Sequence, residues 1–197
     1  MEKIRLTRSR IAGSMAGALM LLVGQSVMAS ELSYTYVELE YVDGEIFDEG
    51  ADGFGLKGSV AISVMFFLAG SYQDGELDGF DLDIELLRFG VGAHGELNDS
   101  IDWVVSVDYA RAEVGDSFDS VDDSGYILDL GIRGVAGDAF EYSAAIIQSD
   151  IGESETGIRF GGRYHFGDSS NVSAGLDYVQ YRSDWNQLEL GIRYQFD

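Results

Sequence analysis

The sequence predicts an all-β fold, a transmembrane antiparallel up-and-down β-barrel of ten strands. Three observations lead to this prediction: an N-terminal leader for export, short segments in which apolar and polar residues alternate, and aromatic residues near both ends of those segments. The chain has 197 residues and no proline. Because proline cannot donate to a strand ladder, its absence suits a chain of paired strands.

Residues 1–29 have the three zones of a secretory signal peptide. A basic start is followed by an apolar run over 11–23, and Val27 and Ala29 occupy the −3 and −1 positions of a cleavage site. The apolar run is shorter than the roughly 20 residues that a spanning helix needs. We therefore expect cleavage after Ala29, with residues 30–197 forming one mature barrel domain.

The composition excludes several functions. The formal net charge is −23, and four of the 12 basic residues lie in the leader, so the mature domain is strongly acidic. Nucleic-acid binding needs clustered Lys and Arg, which this chain lacks. The absence of cysteine excludes a disulfide framework and a thiolate metal site.

Ten segments with period-two alternation predict the strands. In the fifth, Ile101, Trp103 and Val105 share one face, whereas Ser106 and Asp108 share the other. The segments are 32–43, 53–63, 66–73, 82–95, 100–112, 124–136, 139–149, 156–166, 172–182 and 187–196. Two of them, 66–73 and 139–149, are short, and an eight-strand barrel results if they are loops.

The aromatic residues favour a barrel in a membrane over a secreted soluble β-sandwich. With the N-terminus in the periplasm, two groups of aromatics flank an aliphatic band, as a lipid-facing surface requires. The outer group is Tyr41, Phe54, Tyr72, Tyr109, Tyr126 and Tyr178. The inner group is Phe66, Trp103, Tyr142, Tyr164, Phe166, Tyr194 and Phe196.

Charged residues on the opposite face predict a lumen filled by ion pairs, since buried charges must be paired. The predicted network is Glu38, Glu40, Lys57, Arg88, Asp108, Asp129, Arg133, Arg159, Arg163, Asp177, Glu189 and Arg193. The alternative is a narrow path for ions or small solutes lined by the same groups.

Three predicted outer connections, 43–52, 74–83 and 113–123, are acidic and contain neither Lys nor Arg. Residues 74–85, "DGELDGFDLDIE", match the spacing of a calcium loop, but no helix is predicted on either side, so an EF-hand is rejected. We expect no cofactor beyond weakly bound Ca²⁺ or Mg²⁺ at these connections. The candidate metal ligands are Asp74, Asp78, Asp81, Asp119, Asp122 and Asp123.

The sequence does not predict an enzyme. Its two histidines, His94 and His165, both fall near the periplasmic ends of strands. No Ser, His and acid combination gathers at the outer rim, where a small barrel enzyme would act.

The blocks "LSYTYVELEYV", "DGFGLKGSVAI", "FGVGAHGEL" and "GYILDLGIRG" resemble a family of small porin-like outer-membrane proteins of Gram-negative bacteria. More loosely, they are similar to the OmpA and OmpX class of barrels. The resemblance implies export and insertion by the outer-membrane assembly machinery, and it carries no catalytic residue. The last strand, "LELGIRYQF", looks like the signal that this machinery reads, although the chain ends on Asp197 rather than on the aromatic.

The expected function is that of a non-enzymatic outer-membrane barrel, a monomer that contributes to envelope stability or surface contact. Its expected partners are outer-membrane lipids and lipopolysaccharide. A narrow porin-like channel and adhesion through the outer loops are the alternatives.

Overall fold

The computed structural model describes residues 32–46, 49–77, 82–115, 120–167, 171–183 and 185–196. The predicted signal peptide and Asp197 lie outside the described residues. The ten strands are β1 (Tyr36–Ile46), β2 (Glu49–Ala61), β3 (Phe66–Leu77), β4 (Leu82–Asn98), β5 (Ile101–Gly115), β6 (Ser120–Ala136), β7 (Phe140–Ile151), β8 (Glu153–His165), β9 (Val172–Tyr181) and β10 (Asn186–Gln195).

Each strand pairs antiparallel with its neighbours in the sequence, and β1 pairs with β10 to close the barrel. The prediction of a ten-strand up-and-down barrel is confirmed. The eight-strand alternative is wrong, because β3 and β7 are full strands paired along both edges. Closure leaves no unpaired strand edge, which is what hydrocarbon demands of a sheet.

The start of β1 and the end of β10 pair at one end of the barrel, called here the terminal end, and the opposite end, where Ile46 of β1 pairs with Glu49 of β2, is called the distal end. The strands continue much further toward the distal end than the sequence predicts. Only 47–48, 78–81 and 116–119 separate the strands where long acidic connections were expected. The prediction of three long acidic loops is therefore wrong in this respect, since most of those acids lie on paired strands.

The barrel exterior is apolar over its middle part. Along β10, Leu188, Leu190 and Ile192 are exposed on the outside, whereas Glu189 and Arg193 are buried inside. An isolated barrel with such an exterior belongs in a lipid bilayer. Exposed aromatics border this band at both ends, with Tyr41 against Phe54 at the distal border and Tyr194 against Phe196 at the terminal border.

Strand β1 begins at Tyr36, not at residue 32 as predicted. Residues 32–35 turn into the terminal end of the lumen, where Leu32 and Tyr34 are buried against Phe67. Within the described ranges, the chain contains no helix with the length and apolar composition that crossing a bilayer needs.

Candidate functional site

The lumen at the terminal end contains a set of charges called here the terminal charge layer. The Glu38 carboxylate lies at its centre. Its Oε1 accepts a hydrogen bond from Arg163 Nη2 at 2.6 Å, and its Oε2 accepts one from Arg193 Nε at 2.7 Å. A second carboxylate, Glu141, accepts from Arg133 Nε at 2.6 Å and from Arg133 Nη2 at 3.0 Å. All five side chains are buried, so each charge depends on its partners.

Tyr34 lies inside the terminal mouth of the lumen, beside this layer. Its hydroxyl donates to Asp102 Oδ2 at 3.0 Å, and its ring stacks on His94 with centroids 3.7 Å apart. The Arg133 guanidinium lies over the same ring, 4.8 Å from its centroid, and donates through Nη1 to the Ser33 carbonyl oxygen at 2.8 Å. Contacts from several strands therefore hold the N-terminal segment across the terminal mouth.

Further toward the distal end lies the middle charge layer, which has two ion-paired groups and one separate carboxylate. In the first group, Lys57 Nζ contacts Glu40 Oε2 at 2.6 Å and also contacts Glu189 Oε2. In the second, Arg88 Nη2 contacts Asp108 at 2.9 Å and Asp129 at 3.0 Å. The separate carboxylate is Asp177.

Arg159 completes the second group through a 3.1 Å contact with Asp129. Lys57, Glu189 and Arg159 are charged neighbours of Asp177. Among the described residues, none makes an ion pair within 4.0 Å or a hydrogen bond to the Asp177 carboxylate.

The structure thus brings eleven of the twelve predicted network residues into ion pairs and places Asp177 in the same layer without one. Sequence reasoning missed Glu141, Asp102 and Tyr34. Alternation puts Glu141 on the inward face of β7, so the period-two pattern was sufficient to predict it as a member of the lumen network. Tyr34 shares the inward phase of Glu38 and Glu40 in the predicted segment 32–43, but nothing in the sequence indicates that residues 32–35 leave the strand and turn into the terminal mouth.

Beyond the middle charge layer, the lumen becomes apolar. A set of inward side chains, called here the apolar collar, packs together on β4, β5, β6, β7 and β9 and on the β9–β10 connection. The collar is Leu86, Ala110, Ile127, Ile147, Ile151, Val179, Tyr181 and Trp185. Tyr181 and Trp185 stack in parallel, with centroids 4.7 Å apart and ring planes 8° apart.

Small residues line the wall that faces the collar. Gly44, Ala51, Gly53 and Gly75 point inward from β1, β2 and β3. Because these positions carry little or no side chain, the lumen retains a cavity of about 830 Å³ whose lining runs from the collar past Asp177 to the terminal end. This volume lies within the range of about 300–1,000 Å³ usual for small-molecule sites.

The outward face of the distal strand extensions is acidic. Asp43, Asp52, Glu76 and Asp83 oppose one another directly across β1 to β4. A second row, nearer the membrane, runs across β3 to β6. It consists of Asp74, Glu85, Glu113 and Asp122. Like charges opposed across strands repel, and among them only Glu113 and Asp122 have a described cation, Arg111, within 4.0 Å.

The predicted metal ligands do not form one site on the described strands. Asp122 and Asp123 are consecutive on β6 and therefore point to opposite faces of the sheet. Asp78, Asp81 and Asp119 lie outside the described residues. Among those that are described, no three His, Asp or Glu side chains are grouped closely enough to hold a metal ion.

Both histidines lie in the lumen at the terminal end. His94 Nδ1 is 3.2 Å from Asp102 Oδ2, and His165 Nε2 is 3.4 Å from Glu141 Oε2. Each imidazole is therefore engaged with a carboxylate of the lumen interior, away from the distal rim.

Comparison of the sequence with models of known protein families gives no match, and comparison with curated proteins gives none. Comparison of the structure with solved structures does give matches. A NanC porin aligns with 11% sequence identity and a TM-score of 0.51, over 80% of this chain and 100% of the porin. A KdgM porin aligns with 13% identity and a TM-score of 0.44, over 81% of this chain and 99% of the porin. The chain therefore has the fold of the small porin-like outer-membrane β-barrels that its strand pattern resembles.

Proposed function

We propose that the protein is a non-enzymatic outer-membrane barrel whose lumen is closed at the periplasmic end. Its outer surface, rather than its lumen, then contributes to the stability of the envelope. The observation that carries the proposal is the position of Tyr34. Its ring lies inside the terminal mouth between His94, Phe67 and Arg133, next to the ion pairs of Glu38. A solute would have to displace this ring and separate buried ion pairs to pass.

The orientation follows from the predicted signal peptide and from the length of the strands. Export delivers the chain to the periplasm, and hairpin insertion leaves both termini there. The distal extensions then project outside the cell, and the two acidic rows lie above the distal aromatic border. At that height the carboxylates face the anionic headgroup region of the outer leaflet.

Envelope stability is the role that these rows favour. Opposed carboxylates next to lipid phosphates raise the local negative potential and concentrate cations within a Debye length, which is about 8 Å at physiological salt. Mg²⁺ or Ca²⁺ shared between the rows and lipopolysaccharide phosphates would relieve this repulsion. The protein would then bind the lipids that surround it.

Planar-bilayer recording tests the closed lumen. Wild-type protein should give no conductance above background, and Tyr34→Ala should give measurable steps because the ring no longer fills the mouth. Tyr178→Ala, which removes a lipid-facing ring, is the matched control and should remain silent. Equal conductance from wild type and Tyr34→Ala would contradict closure by Tyr34.

A narrow channel is the second candidate, and the cavity of about 830 Å³ favours it. If wild-type protein conducts, the carboxylates of the lumen should make the current cation-selective. The reversal potential in a KCl gradient measures this selectivity directly. A current without cation preference would remove the charged lumen as the selectivity element.

A further inference from the structure

The distal half of the lumen combines three features that ligand sites share. It has an apolar wall in the collar, open volume in front of the small residues that face it, and charged groups at its base. The stacked Tyr181 and Trp185 rings lie near the distal opening, and Leu86 lies next to Arg88 at the base. These features belong to the lumen and do not depend on whether the terminal end is closed.

The base of this cavity carries excess negative charge. The middle charge layer holds the cations Lys57, Arg88 and Arg159. Its carboxylates are Glu40, Asp108, Asp129, Asp177 and Glu189. The terminal charge layer, by contrast, is balanced once Asp102 is counted with it, since three arginines face three carboxylates. The surplus of carboxylates therefore lies where a molecule entering from the distal end would arrive.

Asp177 is the carboxylate that remains without a direct partner in the described part of the chain. Both cations close to it are engaged elsewhere, Lys57 with Glu40 and Glu189, and Arg159 with Asp129. Asp177 lines the cavity, and its Oδ1 lies over Gly161, where a Cβ atom would approach to 2.2 Å. Glycine at position 161 thus makes the room that the carboxylate occupies.

We propose that this cavity binds a small amphipathic cation, an ammonium group carried on an aromatic or aliphatic body. The ammonium pairs with Asp177, and the body packs on the collar between the Tyr181–Trp185 stack and Leu86. An anion would meet the surplus carboxylates, and a bare inorganic cation would leave the apolar wall unused. The carboxylates at the base therefore require a cation, and the collar near the distal opening requires an apolar body.

Trp185 offers a direct reporter of occupancy. The chain has two tryptophans, and the other, Trp103, lies on the lipid-facing surface. In a Trp103→Phe protein folded in detergent micelles, fluorescence then reports the cavity alone. Three matched probes separate charge from hydrophobic contact: 2-phenylethylammonium, the neutral 2-phenylethanol and the anion phenylacetate.

The ammonium probe should change Trp185 fluorescence saturably and bind about tenfold or more tightly than the alcohol, a ratio that corresponds to one direct charge pair. Phenylacetate should give no saturable change at the same concentrations. This comparison uses the unaltered cavity, so it does not depend on whether a lumen variant folds.

Variants then test whether Asp177 is the carboxylate that pairs with the ammonium group. Asp177→Asn should lower the affinity for 2-phenylethylammonium about tenfold and leave the affinity for 2-phenylethanol unchanged. Asp177→Glu should retain the preference for the cation. Asp150→Asn, which removes an exposed outward carboxylate, is the matched control and should change neither affinity.

Three results would overturn the proposal. They are equal affinity for the ammonium and the alcohol, unchanged ammonium affinity in Asp177→Asn, and fluorescence that rises with probe concentration without saturation. None of these outcomes depends on conductance, so the ligand-binding proposal and the closed-lumen proposal can be contradicted independently of each other.

Discussion

Glu38 and Arg163 are 125 positions apart in the sequence, and their side chains meet at 2.6 Å inside the barrel. Glu38 lies on β1 and Arg163 on β8, so the contact crosses the lumen rather than following the sheet. Arg193 on β10 contacts the other oxygen of the same carboxylate. One carboxylate thereby joins strands from both ends of the chain through the interior.

Removing the charge of Glu38 should destabilise the barrel. Glu38→Gln leaves Arg163 and Arg193 buried without their carboxylate, and a broken buried pair costs about 3–5 kcal/mol. Urea unfolding in lipid vesicles measures the change in the free energy of unfolding. Glu45→Gln, on the exposed extension of β1, is the control and should lie within about 0.5 kcal/mol of wild type. Equal stability of the two variants would show that the pair contributes nothing.

Gly92 should not tolerate a side chain. A Cβ atom there would lie 2.1 Å from the end of the Phe67 ring, and that ring is buried against Tyr34. Gly92→Ala should therefore cost about 1–3 kcal/mol through overpacking. Gly70→Ala is the matched control, because its Cβ meets nothing closer than 3.4 Å. Denaturant unfolding of both variants tests the difference, and a loss from Gly70→Ala as large as that from Gly92→Ala would contradict it.

A charge in the centre of the lipid-facing band should be costly. Leu130 is 57% exposed on the outside of β6, between the two aromatic borders. Leu130→Arg should lower the free energy of unfolding in vesicles by about 2–4 kcal/mol, the range for arginine at the bilayer midplane. Asp150→Arg, outside the band on the extension of β7, should cost much less. Similar costs at both positions would place the membrane elsewhere on the barrel.

The acidic rows should make stability depend on pH. Partial burial and the nearby Asp83 carboxylate raise the pKa of Asp74 on the distal extension. Because the folded protein holds the Asp74 proton more tightly than the unfolded chain, ionisation costs stability as the pH rises above the ordinary value of about 3.9.

Asp74→Asn should therefore raise the free energy of unfolding at pH 7, and the gain should vanish as the pH falls below about 3.9. Unfolding curves across this pH range, recorded at low salt, measure the effect. Asp150→Asn, whose cross-strand partner is Ser154, controls for the loss of a lone surface charge. A gain from Asp74→Asn that persists unchanged at low pH would exclude the electrostatic cause.

The sequence predicted the strands and the membrane-facing surface because both depend on local alternation. Leu188, Leu190 and Ile192 share a face through their spacing alone, whatever the neighbouring strands are. Ten strands and the aromatic borders follow from the same pattern. The ends of the strands were less predictable. Clusters of Asp and Gly residues predicted loops, whereas β1 remains paired as far as Ile46 and β3 as far as Leu77.

The partners inside the lumen required the tertiary structure. Alternation shows that Glu38, Glu141 and Arg163 point inward, but strand stagger and closure decide which of them meet. The apolar collar was hidden for the same reason. Ile127 and Val179 share the inward phase of Asp129 and Asp177, but only strand register and closure decide that these apolar side chains pack together as a collar.

The sequence by itself therefore determined that this chain is a lipid-facing ten-strand barrel with charges inside, since a period of two is a property of neighbouring residues. Only the tertiary structure decided that Tyr34 lies inside one mouth of the barrel, that Asp177 has no direct partner among the described residues, and that an apolar cavity opens toward the other end. Those features depend on contacts inside the lumen between residues far apart in the sequence, such as Tyr34 and Asp102, which only barrel closure brings within a few ångströms.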